Sequence, residues 1–69
     1  MGKDHPDTAI TYNNIALVYH AQGEYGKALE WFQKALEISE KMLGKEHPTT
    51  TIIADNMQFV LNKLAKNEM

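Results

Sequence analysis

Apolar residues recur at helical spacing in three stretches of this chain, and glycine-containing breaks separate them. In the first stretch, Ala9, Tyr12, Ile15, Ala16, Val18 and Tyr19 share one broad arc of a 100° wheel, with Asn13, Asn14 and His20 opposite. This predicts a helix over 6–21, ended by Gln22-Gly23 with Gly23 left-handed. In the second, Tyr25, Ala28, Leu29, Phe32, Ala35, Leu36, Ser39 and Leu43 form the stripe of a helix over 24–43, and Trp31, Ile38 and Met42 widen it. An apolar arc of about half the circumference needs two neighbours rather than one. Small Ala28, Ala35 and Ser39 would let a neighbour come close, while Lys27, Glu30, Lys34, Glu37 and Lys41 face water. Glu30–Lys34 and Glu37–Lys41 have the favourable i,i+4 order. A third helix is predicted over 48–66, with Ile53, Met57, Val60, Leu61 and Leu64 as its stripe and a frayed end over 66–69. The expected fold is all-α, an antiparallel helix-turn-helix pair plus one further helix.

Four apolar residues break these patterns. Ile10 and Leu17 lie on the polar side of the first helix, and Ile52 and Phe59 lie on the polar side of the third. The second pair follows the first at an offset of 42 residues, the same offset that separates GKDHP (2–6) from GKEHP (44–48). A fixed period of this size marks a helical repeat array. The chain reads as a single module, with one repeat over 2–43 and a partial second over 44–69. In each HP pair the proline suits the first helical turn. Asp4 or His5 would cap the first helix, and Asp7 would face its positive end.

Bulk properties narrow the function. At 69 residues the chain is one small domain, and a chain of this size buries only about 60% of its unfolded surface. Net charge is −2 with both signs interspersed, which gives no basic footprint for nucleic acid. No apolar run reaches the roughly 18 residues of a membrane span, and no leader pattern opens the sequence. The absence of cysteine rules out disulfide or thiolate staples within it and suits a cytoplasmic setting. His5 and His47 each precede a proline, so a turn role outweighs metal ligation, and His20 stands alone as a polar surface residue. With no clustered ligands and no nucleophile–base–orienter set, no metal, cofactor or catalytic activity is expected.

The pattern A-x4-N-I-A-x2-Y-x3-G-x-Y-x2-A-x3-F-x2-A-L, from Ala9 to Leu36, resembles the tetratricopeptide repeat. Ala16, Tyr19, Gly23, Tyr25, Ala28, Phe32 and Ala35 stand at its signature positions, and Tyr12 stands at the family's early tryptophan. The usual period is about 34 residues. The longer period and the added LG-x2-HP phrase are similar to the repeats of kinesin light chains. The second repeat departs from the pattern, with Gln58 for Ala16 and Leu61 for Tyr19.

The resemblance implies protein–protein interaction, as an adaptor or scaffold piece of an α-solenoid. It implies a concave face on the first and third helices, with Asn14 and Asn56 bonding the backbone of a bound peptide. It maps the other groove positions onto Ile10, Asn13, Leu17, His20, Ile52, Asp55, Phe59 and Asn62. The apolar strip of Ile10, Leu17, Ile52 and Phe59 also suits self-association, as a homodimer or domain-swapped oligomer. Burying about 400 Å² of it would contribute roughly 10 kcal/mol gross, before association costs of several kcal/mol.

Overall fold

The computed structural model describes residues 5–67. Three helices follow one another: α1 (Pro6–Ala21), α2 (Tyr25–Leu43) and α3 (Pro48–Asn67). The second starts one residue later than expected, with Glu24 as an N-cap that makes no side-chain bond. The third continues to Asn67, one residue beyond its expected end.

Local chemistry sets the boundaries. His5 is the N-cap of α1, extended in backbone, and its Nδ1 accepts the Asp7 N–H at 3.0 Å. His47, its repeat equivalent, accepts the Thr49 N–H at 3.0 Å in the same way. Each HP pair is therefore a capping device: histidine fills one orphan donor of the first turn, and proline supplies a residue with no N–H to satisfy. Asp4, the other cap candidate, lies outside the described residues. At the end of α1, Gly23 has φ +82°. Its N–H reaches the His20 carbonyl at 3.0 Å, and the Glu24 N–H reaches Tyr19 at 2.9 Å. This is the Schellman pattern, and it needs a left-handed residue at that position.

α2 is the central element, with α1 and α3 both packed on it and touching each other only narrowly. The core is built around Phe32, fully buried among Ala9, Ala16, Ala28 and Ala35, with Ile38, Ile53 and Val60 continuing it toward α3. The alanines keep the helices close enough for one phenylalanine to fill the space between them. Where α2 meets the start of α3, Ser39 and Thr50 are buried and share a hydroxyl–hydroxyl hydrogen bond of 2.6 Å. The molecule measures 41 × 22 × 13 Å.

Three residues expected in the apolar stripes are exposed. Val18 (56%) and Leu61 (40%) belong to outer helices that have one full neighbour each, so one edge of a broad apolar arc stays wet. Met42 (42%) lies past the reach of α1. Tyr12 meets Trp31, so Pro6, the first residue of antiparallel α1, ends about a turn short of Met42. Trp31 packs on α1. Its ring meets Tyr12 edge-on at 5.1 Å, and the Lys34 ammonium lies 4.5 Å from its centroid.

Candidate protein-binding face

α1 and α3 run in the same direction along one side of the molecule, because each is antiparallel to α2. Two contacts join them. Asn56 Nδ2 donates to Asn13 Oδ1 at 3.2 Å. About two turns further along α1 and one turn along α3, the His20 and Phe59 rings meet edge-on with centroids 5.4 Å apart. His20 also lies 5.5 Å from the Tyr25 ring, so it bridges all three helices. The joint therefore draws Asn13, His20, Asn56 and Phe59 together from the expected face.

The apolar members remain open. Ile10, Leu17, Ile52 and Phe59 are all exposed, Phe59 at 51%. Ile10, Asn13 and Ile52 line a hollow of about 190 Å³ with Thr49 and Ile53. Phe59 and Asn62 line a second hollow of about 270 Å³ with Lys63 and Lys66. Asn14 and Asp55 are exposed. Asn14 and Asn56, equivalent in sequence, thus differ in setting: one is free of the inter-helix joint and the other is part of it. Asn62 accepts a 3.1 Å bond from Gln58 Nε2 on its own helix.

Sequence reasoning missed Thr49, Lys63 and Lys66. The signal for the lysines was present, since Lys63 follows Phe59 and Lys66 follows Asn62 at i+4, on the same side of a helix. The Lys63 ammonium lies 5.2 Å from the Phe59 ring centroid. The resulting surface is an apolar strip with side-chain amides along its middle and two ammonium groups at one end. No side-chain nitrogen or oxygen among the described residues is buried without a partner, so the amide groups not used in the Asn13–Asn56 bond face solvent. Such a surface can hydrogen-bond a backbone, cover apolar side chains and attract acidic ones.

An apolar and amide-bearing surface of this kind, carried on paired helices with a glycine turn and small residues at the crossings, is that of a helical repeat made for protein contact. The family model described as "Tetratricopeptide repeat" matches residues 8–49, and the chain belongs to that family. Among curated proteins it is similar to a clustered mitochondria protein homolog of Ajellomyces capsulatus, 35% identical over 66 residues, 96% of this chain and 5% of the relative. A homolog of the same name from Aspergillus niger is 33% identical over 52 residues, 75% of this chain and 4% of the relative. One from Aedes aegypti is 40% identical over 45 residues, 65% of this chain and 3% of the relative. The chain spans about 5% or less of the length of these relatives. No helix among the described residues is long and apolar enough to cross a membrane.

Proposed function

We propose that this module binds an extended segment of a partner protein along the α1/α3 face. Apolar side chains of the partner cover Ile10, Leu17, Ile52 and Phe59. Its backbone bonds to Asn14 and to the amide groups of Asn13 and Asn56 left over from their mutual bond. His20 and Asn62 flank the path, Asp55 repels acidic groups from the middle, and Lys63 and Lys66 favour them beside Phe59. The observation that carries this reading is the recurrence of exposed apolar residues on the two helices that family members use for binding. Contiguous exposed apolar surface marks a contact site more often than chance. So short a groove predicts weak affinity unless flanking repeats extend it.

The likeness to much longer clustered mitochondria protein homologs supports a role as one repeat element of a scaffold. The 42-residue offset supports kinship with kinesin-light-chain-like repeats. The same exposed strip supports a second reading, a homodimer or domain-swapped pair closing over it with no separate ligand.

A random peptide library displayed against the chain tests the first reading. Enriched peptides should combine apolar and acidic residues, and the pair Ile52→Lys and Phe59→Lys should abolish their capture. Equal capture by the double variant would refute the face. Sedimentation across concentration addresses the second reading: a monomer at every concentration would exclude it.

A further inference from the structure

Histidine is an uncommon helix cap. Serine, threonine, aspartate and asparagine hold that place in most helices, and none of them changes charge near neutral pH. This chain uses histidine twice, at the same point of each repeat. His5 Nδ1 accepts the Asp7 N–H and His47 Nδ1 accepts the Thr49 N–H, both at 3.0 Å. The backbone repeats the pattern: the His5 carbonyl accepts the Thr8 N–H at 2.9 Å, and the His47 carbonyl accepts the Thr51 N–H at 3.1 Å. Both histidines are exposed, so protons from solvent reach them. An imidazole nitrogen accepts only while it carries no proton. Each cap therefore needs the neutral ring with its proton on Nε2.

We propose that the two histidine caps form an acid-sensitive catch at the starts of α1 and α3. Protonation turns Nδ1 from an acceptor into a donor. It then faces a second donor, the first-turn N–H that it had satisfied, and places a positive charge at the positive end of the helix. Both changes act on the folded state, so the unfolded chain takes up the proton more readily. Where that holds, stability rises with pH. The caps are intact above the range near about pH 6.5 in which a free imidazole titrates, and their contribution is lost as the pH falls below it.

The two caps differ in their surroundings. Asp7 Oδ2 lies 3.8 Å from His5 Nδ1, so a protonated His5 gains an ion pair that offsets part of the loss. The residue two places after His47 is Thr49, which has no charge to offer. Lys45 and Glu46 flank His47 in its turn, and Glu40 and Lys41 are the last charges of α2 before it. His47 makes no ion pair among the described residues. His47 is thus the more sensitive of the two. Its release reaches the proposed binding face, because Thr49 is both the donor of the cap bond and a wall of the hollow lined by Ile10, Asn13, Ile52 and Ile53. The consequence for a partner rests on that proposed face, whereas the acid response of the fold stands apart from it.

The test is thermal unfolding of the full chain at about pH 7.5 and about pH 5.5, on either side of the histidine range. Three forms are compared: the natural sequence, His47→Asn, and His5→Asn combined with His47→Asn. Asparagine is among the best caps and does not titrate. The natural chain should melt about 4 °C or more lower at the acid pH. His47→Asn should remove most of that difference, and the double variant should remove the rest. His20 and every carboxylate are kept in all three forms. A pH difference that survives both substitutions would therefore belong to those groups and overturn the proposal, as would equal melting temperatures of the natural chain at the two pH values. A second readout needs no variant. Nitrogen NMR of the imidazoles at about pH 8, where free histidine is neutral, should find the His5 and His47 protons on Nε2. On acidification the Asp7 and Thr49 amide signals should move together with the histidine that caps them. A proton on Nδ1 of His47 in the neutral ring, or a Thr49 amide that ignores the titration, would refute the catch.

Discussion

Asn56 donates to Asn13 across 3.2 Å, and with the His20–Phe59 ring contact this bond joins α1 to α3. The bond is half-buried, so its net worth is about 0.5–1.5 kcal/mol. Its position matters more, because it sets the spacing of α1 and α3 under the proposed groove. Asn56→Ala should lower stability by about 1 kcal/mol in urea unfolding, while peptide capture falls further than that loss alone accounts for. Proportionate losses would mean that Asn56 supports the fold and does not meet the partner.

The Ser39–Thr50 pair gives a sharper energetic prediction. Thr50→Val leaves the Ser39 hydroxyl buried with nothing to bond and should cost about 1–3 kcal/mol. In a domain this small that corresponds to roughly 4–8 °C of melting temperature per kcal/mol. Adding Ser39→Ala should restore part of the loss, since two apolar groups of similar shape leave no orphan. Additive losses in a double-mutant cycle would show that the hydroxyls do not interact in solution.

Gly44 and Gly26 should respond oppositely to alanine. Gly44 has φ +94° and ψ 158°, a region essentially reserved for glycine, and a methyl group there would meet nothing within 4 Å. The cost of Gly44→Ala is therefore backbone strain, about 1–3 kcal/mol. Gly26 lies in the first turn of α2 with open space around it, so Gly26→Ala should stabilise by about 0.5–1 kcal/mol. Calorimetry of the two variants checks both signs.

His47 caps α3 through an imidazole nitrogen. His47→Ala should cost about 0.5–2 kcal/mol, and His47→Asp should cost less or nothing, because a carboxylate caps as well and suits the positive helix end. Equal losses for the two variants in thermal unfolding would remove the capping role.

Much of this architecture was legible from residue order. The three helices, the glycine turns and the caps follow from local rules, and Phe32, Ala35, Ile53 and Val60 were placed in the core by periodicity alone. Val18, Leu61 and Met42 were misplaced for one reason: a wheel reports which residues share an arc, not whether a neighbour covers all of it. The residues of the binding face were legible as a set, but their pairing was not. Which asparagine would be tied up at Asn13–Asn56, and that His20 would touch Phe59, depends on the offset between helices packed on a third.

A plank 13 Å thick has no deep interior. Only α2 packs extensively on both other helices, so its amides should exchange with solvent most slowly, while α1 and α3 can each peel away and reclose alone. A ligand clamped across the two outer helices would suppress both openings at once. At about 100 times its dissociation constant it would add roughly 2.7 kcal/mol, which is about a hundredfold in exchange rate. Occupancy of the groove would therefore be recorded most clearly in the backbone of a helix the ligand never touches.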